Sequence, residues 1–145
     1  MAAEIWDLYD AEGRKLQQII QEVGIDGFLE MEEDVILGLS CEKTVVATGG
    51  SVVYGKRAME SLHKNGTVIY IRLPYREIER RLSNLATRGV TLREGQTLLD
   101  LYQERIPLYE KEADLVFDAS DHEIEQTVSM IARRIEAMNG VAYGG

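Results

Sequence analysis

The stretch Gly50-Ser51-Val52-Val53-Tyr54-Gly55-Lys56-Arg57 comes within one residue of G-x-x-x-x-G-K-[ST], the pattern of a loop that cradles phosphates. Arg57 stands where a magnesium-binding hydroxyl belongs, and a guanidinium has donors but no acceptor. Such a loop turns successive backbone N–H groups inward through left-handed conformations that glycine adopts easily, whereas β-branched Val52 and Val53 occupy its middle. Its position after a strand and before a helix favours a phosphate site; its chemistry does not. The glycines Gly49 and Gly50 carry a separate reading. Glycine at the end of a buried strand lets a ligand approach the backbone, although a plain turn accounts for either residue alone.

Three segments have the short, β-branched and aromatic character of strands: Thr44–Thr48, Thr67–Leu73 and Ala113–Ala119. Helix-length stretches separate them, predicted over Lys56–Lys64, Pro74–Ala86 with Pro74 as first helical residue, Gly95–Ile106 and His122–Met138. Upstream, apolar residues recur at three- and four-residue spacings from Glu4 to Val23, which predicts two helical pieces bent near Gly13, followed by a helix from Asp26 to Leu39. Strands alternating with helices make an α/β domain with a parallel sheet, whose ligands sit beyond the carboxyl ends of the strands. Here that means the loops after Thr48, Leu73 and Ala119.

A chain of 145 residues with 45% hydrophobic and 28% charged residues fits one domain, followed by a flexible tail after Met138. A net charge of −9 opposes nucleic acid or an anionic membrane as partner and leaves room for a small anionic acceptor at a local arginine cluster. The single cysteine, Cys41, excludes an intramolecular disulfide and a multi-cysteine zinc site, and no metal ligands are assigned. No apolar run reaches the roughly 18 residues of a membrane span, and acids stand where a signal peptide carries bases, so a cytoplasmic location is expected.

"TVVATGGS" followed by a helix, then "GTVIYIRLPYREIERRL", "TRGVTL" and "LYQERIPLYEKEADLVFD", resembles the shikimate kinase family in order and spacing from about Glu4 to Met138. The resemblance implies a P-loop-kinase-like parallel sheet flanked by helices. It also implies transfer of the γ-phosphoryl group of ATP, with Mg²⁺, to a hydroxyl of shikimate or a related small alcohol in aromatic amino-acid biosynthesis. By the same resemblance Gly49, Gly50 and Ser51 line the acceptor site, Ser51 replacing a usual third glycine, and Arg105 grips the acceptor's carboxylate. Arg88 matches a lid arginine that neutralises charge during transfer, Arg81 one that packs on the adenine, and Ser120 falls in the adenine loop. The ordinary alternatives are an exposed Arg105 paired with Glu104 or Glu110 and a solvated helix face over Arg76–Arg81.

Departures from the family pattern accompany the matches. The chain begins after the family's first strand, Walker A loop and first helix, so an incomplete, amino-terminally shortened sheet is expected. Asp7 and Asp10 lack the setting of the family's D-x-D. In Phe28-Leu29-Glu30-Met31-Glu32, Leu29 stands where a second carboxylate-binding arginine is expected, a loss of about 2 kcal/mol of charged hydrogen bonding. Arg88 is followed by Gly89 instead of proline. The rival reading is a non-catalytic binding or accessory module. The sheet would either close up or keep an open slot, inviting self-association or pairing with a supplied amino-terminal segment. Because "GSVVYGKR" lacks both nest glycines and hydroxyl, calorimetric titration of the chain with ATP and Mg²⁺ should show no tight binding. Micromolar, Mg²⁺-dependent affinity would restore Lys56 as a phosphate ligand.

Overall fold

In the computed structural model, residues 2–4, 16–83 and 93–140 are described. In chain order they form β1 (Ala2–Glu4), α1 (Leu16–Leu37), β2 (Val45–Ala47), a 3₁₀ turn (Gly50–Tyr54), α2 (Lys56–Asn65), β3 (Ile69–Arg72), α3 (Tyr75–Ser83), α4 (Leu98–Glu112), β4 (Leu115–Asp118) and α5 (Ile124–Met138). Each of the three expected strands is found at the centre of its predicted segment. All described pairings are parallel, as crossover helices require.

The amino-terminal expectation is corrected. Glu4 does not open a helix; Ala2–Glu4 lies beside β2, with Ala2 opposite Val45 and Glu4 opposite Ala47. This pairing spans more than forty residues of sequence, beyond the reach of local periodicity. Gly13, Asp7 and Asp10 fall outside the described residues. Among the described residues a break lies at Gly24, where φ 74° and ψ 174° interrupt α1 and divide it into two helical pieces. A left-handed φ costs glycine least, and the predicted helix from Asp26 is the second of these pieces.

Two helices differ from their predicted bounds for stated reasons. α4 starts at Leu98, where Thr97 Oγ1 accepts from Asp100 N and Asp100 Oδ2 accepts from Thr97 N, both at 3.1 Å. This reciprocal capping box fixes the start more firmly than Gly95, which sits in a left-handed turn at φ 77°. At its other end α4 runs through Pro107 to Glu112, although proline removes one rung of the helix. Anchors on both sides hold it: Leu101 is buried, Tyr102 Oη donates to the Leu73 carbonyl at 2.9 Å, and Tyr109 Oη donates to that of Gly50 at 3.0 Å. Pro74 precedes α3, its carbonyl accepting from Glu77 N and Ile78 N.

The core joins the second half of α1, the 3₁₀ turn and α2. Ile36, Val52, Ala58 and Met59 are buried together, with Leu39, Val53, Leu62 and Val68 packed against them, and Phe28 is fully buried. Val52 thus faces the interior, which explains a β-branched residue in the loop. No described helix is long and apolar enough to cross a membrane.

Among the described residues the strands form two separate pairs, β1–β2 and β3–β4. β2 and β3 do not close up directly. Val45 is 71% exposed, Ile71 49% and Val116 45%, so apolar strand surface faces outward. Surface and strand edges of this kind recruit a further strand. Sedimentation velocity should therefore show self-association that grows with concentration. A concentration-independent monomer with a cooperative melt would overturn that expectation.

Candidate functional site

The Walker-like stretch resolves into ordinary structure. Gly49, at φ −69° and ψ 158°, leads into the 3₁₀ turn, and no residue from Gly49 to Arg57 has a positive φ. The backbone therefore forms no anion-binding nest there. The start of α2, where unpaired N–H groups favour an anion, is occupied by the chain's own carboxylate. Glu33 Oε2 accepts from Ala58 N at 3.2 Å, and Arg57 pairs with Glu33 Oε1 at 3.1 Å. The Ala58 amide first, then Arg57, holds the Glu33 carboxyl below the usual carboxylate range. A Cβ on Gly55 would lie 2.6 Å from Glu33 Oε2, which explains that glycine. These residues do not fit a nucleotide phosphate.

The acceptor-side residues do converge. Ser51, 5% exposed, donates from Oγ to both oxygens of Glu32, at 2.8 and 3.0 Å, and Glu32 is 3% exposed. Next to Ser51, Gly50 gives its carbonyl to Tyr109. A Cβ there would lie 2.5 Å from Tyr109 Oη and 2.8 Å from Arg105 Nη1. The φ of Gly50 is not left-handed, so what a side chain here would disturb is the placing of these two side-chain ends. The Arg105 guanidinium lies 5.4 Å from the centroid of the Tyr54 ring, within cation–π range, and Tyr54 Oη donates to Glu104.

The electrostatics follow from burial. Desolvation pushes the Glu32 carboxyl up, opposed by the Ser51 hydrogen bond and by the charge of Arg105. Burial also raises the Tyr109 hydroxyl, again against Arg105. The cluster therefore consists of one guanidinium, one buried carboxyl and two phenols around a backbone turn. It can orient a small polar ligand by hydrogen bonds from Arg105.

The remaining sequence-derived candidates lie elsewhere. Arg81 is on α3, where its Nε donates to Glu77 Oε1 at 3.0 Å and Arg80 shares the same carboxylate. Ser120 follows β4, its amide bound to Asp118 Oδ1 at 2.9 Å, while Asp118 also pairs with Arg72. Arg88 falls outside the described residues. Leu29 is half-buried, one turn before Glu32 on α1. Among the described residues no cluster of three His, Cys, Asp or Glu side chains is placed to hold a metal ion. Glu32, Tyr54 and Tyr109 were not singled out in the sequence. Glu32 nonetheless closes the quoted motif Phe28–Glu32, and Tyr109 lies four residues after Arg105 in the quoted stretch from Leu101 to Asp118, which was the available signal.

Parallel strands, helical crossovers and a polar cluster beyond the carboxyl end of β2 define an α/β domain with a candidate ligand site in the place such sheets offer one. The family model described as shikimate kinase matches residues 7–136, and the chain belongs to the shikimate kinase family. A shikimate kinase of Chlorobium chlorochromatii is 33% identical over 135 residues, covering 86% of this chain and 70% of the relative. One from Thermodesulfovibrio yellowstonii is 30% identical over 132 residues, covering 89% and 76%. Among solved structures, shikimate kinase from Acinetobacter baumannii in complex with shikimate matches with a TM-score of 0.80 at 22% identity, over 98% of this chain and 80% of that one. The Aquifex aeolicus shikimate kinase matches with a TM-score of 0.72 at 25% identity, over 99% and 83%. The fold expected from the sequence is that of the family.

Glu32 gives this site a pH signature. Its folded carboxyl titrates above the ordinary value of 4.5, so the native state holds a proton that the unfolded chain releases. The corresponding stability is full below the unfolded value and is lost as pH rises through the folded one. Urea denaturation from about pH 4.5 to pH 8 should show the native chain losing stability relative to Glu32→Gln, because other titrating groups cancel between the two. Parallel curves would contradict the assignment.

Proposed function

We propose that this chain provides the acceptor half of a small-molecule kinase, holding shikimate or a related small alcohol against Gly49, Gly50 and Ser51 with Arg105 as the orienting cation. The observation that carries the reading is the convergence of Gly50, Ser51 and Arg105, from the loop after β2 and from α4, on one buried cluster with Glu32. A guanidinium suits this task because its donors are fixed in a planar fork and its charge is permanent. Arg81, Arg88 and Ser120 remain our assignment for the nucleotide side, with ATP and Mg²⁺ as the cofactors of the intact family.

A second reading is supported by the start of α2. There Glu33 occupies the one phosphate-like position that the sequence suggested, which favours an acceptor-binding module that does not itself hold the nucleotide phosphates. The two readings share the acceptor site and differ in what reaches it.

Arg105→Ala should weaken binding of an acceptor probe such as shikimate by roughly 1.5–3 kcal/mol, the scale of hydrogen bonds to a charged group. Arg76→Ala, at an exposed position of α3, should leave binding nearly unchanged. Calorimetry on both variants is the test, and equal losses would remove any special role for Arg105.

A further inference from the structure

Arg105 can orient an acceptor only if its own fork is held, and two tyrosines surround it. Tyr109 lies one turn further along α4. Its ring packs on Tyr70 of β3 with centroids 5.1 Å apart, and its hydroxyl donates to the Gly50 carbonyl. Tyr54, at the end of the 3₁₀ turn, has the Arg105 guanidinium 5.4 Å from its ring centroid and donates its hydroxyl proton to Glu104. Burial, above all, pushes both phenols up, so each keeps its proton in neutral solution.

A phenol has one proton to give and lone pairs that accept. Both protons are already directed elsewhere, to Glu104 and to the Gly50 carbonyl, which leaves the lone pairs for Arg105; its guanidinium hydrogen-bonds both oxygens. The space over Gly50 shows how close the groups come, since a Cβ there would meet Tyr109 Oη at 2.5 Å and Arg105 Nη1 at 2.8 Å. A free arginine side chain loses much rotamer freedom when it grips a ligand, and a fork held in place beforehand loses less. Neutral phenols supply that hold without cancelling the positive charge, as a carboxylate partner would.

Resting on the acceptor reading above, we infer that Tyr54 and Tyr109 are positioning residues, whose hydroxyl oxygens hold the Arg105 fork in the orientation the acceptor meets and so act on acceptor affinity through Arg105. Tyr109→Phe keeps the ring on Tyr70, and Gly50 is exposed, so water can satisfy its carbonyl. The full chain carrying this change should melt close to the unaltered chain yet bind shikimate about fivefold more weakly in NMR titration, the scale of one neutral hydrogen bond. Tyr54→Phe should behave alike. In an Arg105→Ala background neither change should weaken binding further, because the group through which they act is gone. Arg105→Lys, which keeps the charge without the fork, is the background should Arg105→Ala bind too weakly to follow. A role confined to holding the fold would carry the same loss into the altered background. That outcome, or unchanged affinity in both phenylalanine variants, would overturn the inference and leave the acceptor site standing. No shikimate binding by the unaltered chain would overturn it together with the acceptor reading on which it rests.

Discussion

One buried hydrogen-bonded pair, Ser51 with Glu32, holds the functional end of this molecule together. Neither group sits comfortably in the interior alone. A carboxylate without a donor there is costly, and the hydroxyl supplies that donor while pinning the 3₁₀ turn to α1. The rest of the site hangs on the turn's position. With Ser51 fixed, Gly50 must present its carbonyl to Tyr109, which anchors α4 beyond its proline and sets Arg105 beside the turn. Val52, one residue further on, enters the core with Ile36, Ala58 and Met59, so the turn is also the joint between site and core.

The parts of the fold that the sequence disclosed are those governed by local chemistry. The β-branched runs around Val45, Ile69 and Leu115 announced strands because each is too short and too apolar for a helix, and the helices between them required parallel pairing. What escaped were long-range and competitive effects. Ala2–Glu4 pairs with β2 across more than forty residues, and nothing in its composition says so. Pro107 reads as a stop, yet tertiary anchors on either side outweigh one lost rung. The bend was expected near Gly13, outside the described residues, while the break at Gly24 was not foreseen.

At the site, legibility divided in the same way. Gly50, Ser51 and Arg105 were visible because they stand within short motifs, and the structure brings them into one cluster. Their supporting partners Glu32 and Tyr109 were in the same motifs but gave no sign of their role, since burial and mutual contact are properties of the folded chain. The near-match to a phosphate loop misled by spelling. Its valines and Arg57 were the correct warning, and Glu33, 25 residues before Ala58, supplies the physical reason by closing the start of α2.

The proline inside α4 has a mechanical consequence. Pro107 offers no N–H, so the Gln103 carbonyl loses its normal helical partner, and the missing rung spans Arg105, one turn before Tyr109. Tyr109 is tethered to the backbone of the 3₁₀ turn, whereas Arg105 belongs to the segment that starts at the Thr97 cap. Arg105 thus stands in the turn that lacks a rung, one turn before a tyrosine that is clamped to the neighbouring backbone.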